Sequence, residues 1–244
     1  MDPQGIITTV AGDGWKKTRP VPGAPGFADE WERSAGDGGP ATKASLSAPR
    51  DLALAPDSSL YIADSGNGRV RKVNRDGIIT TVAGRDKEGY SGDGGPVTKA
   101  TFNGIAAVAL GSDGSLYIAD SGNHRIRKVN PAGIVTTVVG CGKTKYAGDG
   151  MPATKATLAF PCSIAVSPDG SLYVVDDPNY RIRKVGAGGV ISTAVGNGWD
   201  GDGGDGGPAT EASIGSFPRV SAGSDGSLYI ADMFANRIRK VTWR

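Results

Sequence analysis

The sequence is short of the residues that most often carry chemistry. Its 244 residues include one histidine, His124, two cysteines, Cys141 and Cys162, and four glutamates, Glu30, Glu32, Glu88 and Glu211. One histidine cannot build a His-rich zinc centre. Two cysteines do not make a disulfide framework, and two free thiols are the expectation here. No run of 18 apolar residues occurs, so no transmembrane helix and no membrane insertion are expected. The opening residues Met1-Asp2-Pro3-Gln4 lack the basic and then apolar segments of a secretory signal. Location stays open on these grounds, with an extracellular or cell-surface place expected if the segment is an excised domain. A dominant charge is also lacking: 27 Lys and Arg stand against 25 Asp and Glu, a net charge of +2. Such a balance gives little long-range pull toward nucleic acid or an anionic membrane. Helical periodicity is missing too, apart from at most one turn over residues 41–46.

What the chain has in abundance is glycine, 39 residues with 15 prolines, and it recurs at fixed intervals. Gly-Asp-Gly-Gly-Pro-Ala-Thr places its aspartate at Asp37 and Asp205, and close variants place it at Asp93 and Asp149, in steps of 56 residues. Leu-Tyr-Ile-Ala-Asp or a near copy ends at Asp64, Asp120, Asp176 and Asp232, again 56 apart. Within one period the pattern reads as four short strands. An apolar strand (Asp51-Leu52-Ala53-Leu54) leads to a tight turn, Asp-Gly in three copies, a dipeptide suited to a hairpin. Leu60-Tyr61-Ile62-Ala63 follows, rich in residues that fit a pleated surface. Then come Arg69-Val70-Arg71-Lys72-Val73 and Ile78-Ile79-Thr80-Thr81-Val82.

Four antiparallel strands per repeat, chained head to tail, describe propeller blades, each covered by its neighbours. The expected fold is all-β: a single domain over 1–244, a four-bladed β-propeller of four-stranded antiparallel blades. Its closure is also expected from the sequence. Fourth-strand glycines fall at Gly77, Gly133 and Gly189, so the next would be at 245, while residues 5–12 repeat residues 77–84 letter for letter. Strand 5–12 is therefore expected to complete blade four, removing an open sheet edge.

Ala119-Asp120-Ser121-Gly122-Asn123-His124-Arg125-Ile126-Arg127-Lys128-Val129 resembles the core NHL signature. With the Gly-Asp-Gly-Gly-Pro-Ala-Thr loop, the chain is similar to NHL repeats of bacterial surface proteins and of the teneurin propeller. That resemblance implies a β-propeller used as an interaction scaffold. NHL propellers commonly have six blades, so four copies depart from the pattern, as a closed ring or as part of a larger assembly.

Residues present in every copy read as scaffold. Asp64, Asp120, Asp176 and Asp232 cap the loop after the second strand, and Arg69, Arg125, Arg181 and Arg237, five residues on, tie that loop. The basic triplet Arg69, Arg71 and Lys72 with its copies supplies 12 of the 27 basic residues. It repeats in every blade without an aromatic partner in its strand for base stacking, which disfavours nucleic acid as the partner.

Residues that differ between copies are the functional candidates, because binding sites sit on loops held by a rigid scaffold. The first inter-blade loop is 16 residues longer than the others and holds Trp15 and Trp31. Tyr90, His124, Tyr146, Tyr180, Trp199 and Phe234 are placed on the same face, where they could ring a shallow bowl for a protein or glycan. Asp200, Asp202 and Asp205 are the candidate metal ligands, for Ca²⁺, through closely spaced carboxylate oxygens; no other cofactor is expected. The expectation is a monomeric, non-catalytic scaffold. The alternative is a lyase or hydrolase using carboxylates at the mouth of the central channel, with Asp51, Arg50 and Arg219 as candidates because they interrupt apolar first strands. A Cys–His nucleophilic pair would require His124 near Cys141 or Cys162.

Overall fold

The structure is a computed structural model that describes residues 5–14, 35–85 and 87–243. It is a four-bladed β-propeller. Blade one comprises β1 (Pro49–Leu54), β2 (Leu60–Asp64), β3 (Arg69–Val73) and β4 (Ile79–Ala83). Blade two comprises β5 (Ile105–Leu110), β6 (Leu116–Asp120), β7 (Arg125–Val129) and β8 (Val135–Val139). Blade three comprises β9 (Ile164–Val166), β10 (Leu172–Asp176), β11 (Arg181–Val185) and β12 (Ile191–Val195), and blade four comprises β13 (Arg219–Ala222), β14 (Leu228–Asp232) and β15 (Arg237–Val241). Strands within each sheet pair antiparallel in sequence order. The helical content among the described residues is confined to three-residue 3-10 turns such as Ala41–Lys43, as the single-turn expectation had it.

The repeat explains the ladder. The turns after β5, β9 and β13 use Gly114, Gly170 and Gly226 at positive φ. Each is locked by the preceding aspartate: Asp113 Oδ1 accepts from the Ser115 amide at 3.0 Å, and Asp169 and Asp225 do the same for Ser171 and Ser227. The Gly-Asp-Gly-Gly loops fold back on their own blade. Gly92 has φ +93°, and a Cβ there would lie 2.7 Å from the Cβ of Ala100, so only glycine fits.

Blades bury one another's faces. Val70, Ala63 and Ala83 of blade one meet Phe102, Ile105 and Ile118 of blade two. Ala119, Ile126 and Val139 meet Leu158, Ile164 and Val174, and Val175, Ile182 and Val195 meet Ile214, Leu228 and Ile230. A fully buried side chain of this size contributes about 1.5–3 kcal/mol, which makes each interface worth far more than any one turn.

At one edge the structure differs from the sequence reading. The last sheet has three strands, and residues 5–10 belong to no strand and leave Ile7 96% exposed. The expected addition of residues 5–12 to blade four is not made here. The reason lies in how the segment is anchored. The Gly12 amide donates to Ala41 O (2.9 Å) and the Asp13 amide to Ala44 O (3.0 Å). Gly84 with Val97, Gly140 with Ala153 and Gly196 with Ala209 make the same bond. The segment thus stands against blade one as each outer strand stands against the following blade. Among the described residues, no apolar cluster joins blade four to blade one, and Leu52, Leu54 and Ile238 are exposed.

Candidate functional site

Each blade contains a strut at the end where the second strand hands over to the third. Asp120 sits at the end of β6, its carboxylate wholly buried. Its Oδ1 accepts from the Asn103 amide at 2.8 Å and from Asn123 Nδ2 at 2.8 Å, and its Oδ2 meets Arg127 Nη1 at 3.3 Å. Arg127 then bridges to Asp93 of the Gly-Asp-Gly-Gly loop at 2.7 Å. The same Asp–Arg–Asp bridge recurs as Asp64–Arg71–Asp37, Asp176–Arg183–Asp149 and Asp232–Arg239–Asp205. The arginine paired with the buried aspartate is seven residues on, while the one five residues on ties the loop through its carbonyls. Arg125 instead donates to the carbonyls of Asn123 (2.8 Å) and Cys141 (3.0 Å).

Burial pushes the carboxyls of Asp64, Asp120 and Asp176 above the usual carboxylate range, although backbone amides, asparagines and arginines oppose it. On Asp93 burial works upward as well, but Thr137, Tyr90 and Arg127 together outweigh it and hold the group below the usual range. A buried ion pair of this kind is costly to break on one side, because it leaves a charge unpaired in low dielectric.

Tyr90 and Tyr146 attach to this scaffold. The Arg125 guanidinium stacks 3.9 Å from the Tyr90 ring, whose hydroxyl donates to Asp93 at 2.9 Å. Arg181, Tyr146 and Asp149 repeat this at 3.9 and 3.0 Å. These two tyrosines support their own inter-blade loops.

A different group lies nearer the inner strands at the same end of the blades. His124 and Tyr180 close the loops after β6 and β10 in left-handed conformation. Phe160 and Phe217 precede the inner strands of blades three and four, at φ +43° and +53°, and both are half-exposed. The His124 and Phe160 rings meet edge-on at 4.5 Å, and Phe217 lies 6.4 Å from Phe234. The structure therefore brings His124 and Phe234 each beside a phenylalanine that the sequence reading did not single out. Tyr180 is half-buried against the blade three–four core, and Trp199 is exposed on its own loop, its amide bonded to Asn197 Oδ1. Trp15 and Trp31 lie outside the described residues. The signal for the missed pair was present: each aromatic stands directly before a proline, Pro161 or Pro218. A bulky residue at positive φ before proline is doubly disfavoured, and such strain marks places where side-chain display matters.

On the first strands of the blades, Asp51 Oδ2 accepts from the Val108 amide of the next blade at 2.9 Å, and Arg219 donates to Cys162 O. Burial raises the Asp51 carboxyl, with the Val108 and Leu52 amides and Arg219 working against it. Burial likewise raises Asp177, which accepts from the Phe217 amide. Arg50 is exposed at the start of β1. The two thiols are free. Burial pushes Cys162 up to about 12, so it is protonated and inert at neutral pH, and its Sγ faces Pro218 O. Burial and Arg125 hold His124 below its ordinary value, and its Nδ1 accepts from the Phe160 amide at 3.3 Å. These contacts give His124 and Cys162 separate partners.

Two carboxylates of the acidic cluster are engaged by arginines. Arg237 holds Asp202 at 3.2 Å and Arg239 holds Asp205 at 2.8 Å. Among the described residues no three metal-ligating side chains converge. Carboxylates already bound by guanidinium groups are a poor fit for Ca²⁺.

The family follows from comparison. The Teneurin NHL domain matches residues 23–89 and 134–201, and the NHL repeat matches residues 102–129. The chain belongs to the teneurin NHL family. Teneurin-m of Drosophila melanogaster is 31% identical over 233 residues, covering 86% of this chain and 8% of that protein. Teneurin-1 of Mus musculus is 31% identical over 207 residues, covering 76% of this chain and 7% of that protein. The chain thus spans less than a tenth of these teneurins. Among solved structures, a protein of unknown function from Bacteroides thetaiotaomicron VPI-5482 superposes with a TM-score of 0.63 at 22% identity, covering 79% of this chain and 46% of that one. That likeness concerns the fold alone. No helix among the described residues is long and apolar enough to cross a membrane. As a teneurin NHL chain, it keeps its struts constant and varies the residues at one end.

Proposed function

We propose that this teneurin-type NHL propeller is a non-catalytic scaffold that holds a protein or glycan partner on the end carrying His124, Phe160, Phe217 and Phe234. One observation carries the reading: Phe160 occupies a left-handed backbone position where the matching residues of blades one and two are Ala48 and Gly104, and in blade four Phe217, one residue past the matching Ser216, is left-handed as well. Exposed aromatics on a rigid frame are strong anchors for a partner. Family membership supports an extracellular or cell-surface place for the chain. The test uses the immobilised chain against a glycan array and a panel of extracellular protein domains. Any ligand found is titrated against Phe160→Ala/Phe217→Ala and against Arg75→Ala at the opposite end. The aromatic pair is expected to weaken binding at least about tenfold, and Arg75→Ala to leave it unchanged. Equal binding by all three proteins would sink the assignment to this face.

The enzymatic alternative rests on the raised carboxyls of Asp51 and Asp177 near Arg219, since perturbed acids cluster at reactive sites. Both already accept backbone amides across blade boundaries, which favours a positioning role. A lactone or ester turnover abolished by Asp51→Asn, with the fold intact, would restore the alternative.

A further inference from the structure

The grooves between neighbouring blades repeat as the blades do, and one of them is filled by an indole of the chain itself. At the end of the blades opposite His124 and Phe160, the ring of Trp243 stacks on Tyr173, with centroids 6.0 Å apart and planes 10° from parallel. The Lys184 ammonium lies 5.7 Å from the indole and 5.5 Å from the Tyr173 ring. Offset stacking and cation–π attraction both favour this arrangement. It leaves Tyr173 only 1% exposed.

The groove between blades two and three is built from the same parts. Tyr117, Lys128 and Asp113 stand where blade three has Tyr173, Lys184 and Asp169. The Lys128 ammonium lies 5.3 Å from the Tyr117 ring and 3.0 Å from Asp113. The counterpart of Trp243, 56 residues earlier, is Ala187. A methyl group does not reach across the tyrosine, so Tyr117 is only half-buried, and Lys128 has one ring to contact where Lys184 has two. In place of the indole is a cavity of about 520 Å³, bordered by Tyr117, Val139, Val166, Leu172, Val185 and Ala187. Ligand sites commonly measure about 300–1,000 Å³.

We propose that this groove binds an indole side chain, a tryptophan displayed by a partner polypeptide, in the place that Trp243 takes in the sister groove. Valine and leucine side chains line the space, Tyr117 supplies a stacking face, and Lys128, held by Asp113, meets the entering ring. The occupant is a side chain because the ring that fits the sister groove is itself carried on polypeptide, just after β15, and stays half-exposed. This site lies at the other end of the blades from His124 and Phe160, so it stands or falls independently of the partner proposed for that face.

The probe is a blocked peptide, acetyl-Gly-Ser-Trp-Ser-Gly-amide, added to the full chain while amide NMR shifts are followed. Shifts are expected at Val166, Gly170 and Ala187, with binding about tenfold tighter than by the same peptide carrying leucine. Ala187→Trp, which gives this groove an indole of its own, is expected to abolish binding while the thermal transition persists. Trp243→Ala is expected to open the sister groove and add a second site, with shifts reaching Tyr173 and Ala222. An absence of shifts around Ala187, equal affinity for the leucine peptide, binding that persists in Ala187→Trp, or a single site in Trp243→Ala would each overturn the proposal. Free indole binding more tightly than the peptide would overturn it too, by marking a pocket for a small molecule instead of a docking site.

Discussion

Blades two and four carry the same words in different company. Residues 125–129 and 237–241 are both Arg-Ile-Arg-Lys-Val. In blade two, between neighbours, Ile126 is 0% exposed; in blade four, at the seam, Ile238 is 75% exposed. Arg127 is wholly buried between Asp93 and Asp120, while Arg239 joins an Asp205 that is far more open than Asp93. Tyr90 and Thr137 add hydrogen bonds around Asp93. The difference shows that burial in this fold belongs to the junction between repeats and not to the repeat itself, as expected of a chain whose units touch only their neighbours.

The comparison can be tested most forcefully at the struts. Arg127→Ala strands two carboxylates and is expected to cost about 3–5 kcal/mol in urea denaturation. Arg239→Ala is expected to cost less, about 1–3 kcal/mol, because Asp205 is exposed although Asp232 is buried. Equal costs would mean that the struts act alike regardless of cover. Next come the isoleucines: Ile126→Ala should lose about 2–5 kcal/mol, and Ile238→Ala no more than about 0.5 kcal/mol.

Glycine at the start of the Gly-Asp-Gly-Gly motif should break the pattern. Gly92 and Gly204 both have positive φ, and a Cβ on either would collide with Ala100 or Ala212. Gly92→Ala and Gly204→Ala are therefore expected to cost about 1–3 kcal/mol alike, because this contact lies within one loop. The smallest effect concerns acid. Asp93 is held below the usual range in the folded chain. It therefore stabilises above its unfolded value, and that contribution disappears as pH falls through the folded one. Asp93→Asn should flatten the acid limb of a melting-temperature profile. Asp113, at about 2 in its hairpin turn, follows the same sign between about pH 4 and 2. Being exposed, it is worth under about 1 kcal/mol.

The blades were readable in the sequence because each is a local object: strand, Asp-Gly turn, strand, with a 56-residue period. The strut was half readable. Asp64 faces Arg69 in strand register, yet its ion pair is with Arg71. What directs Arg71 inward are Ser45 O and Asp37, 26 and 34 residues away, which no local spacing reveals. Tyr90 and Tyr146 looked like departures from the repeat and proved to be its supports, since ring stacking on Arg125 and Arg181 depends on where the strand lies. Phe160 and Phe217 escaped notice because their distinction is a backbone angle. The closing strand was legible as a sequence match, but among the described residues 5–10 join no sheet, a matter of tertiary placement that the match alone does not specify.

The left-handed corner before each inner strand has a consequence for how such a chain can change. Ala48, Gly104 and Phe160 occupy it in turn, and in blade four Phe217 takes it one residue later. Alanine, glycine and phenylalanine hold one geometry, so the surrounding fold sets the corner and bears the strain of its occupant. Variation there is separated from the letters that make the blades fold. Specificity could be rewritten one codon at a time, blade by blade, while the ring beneath stays the same.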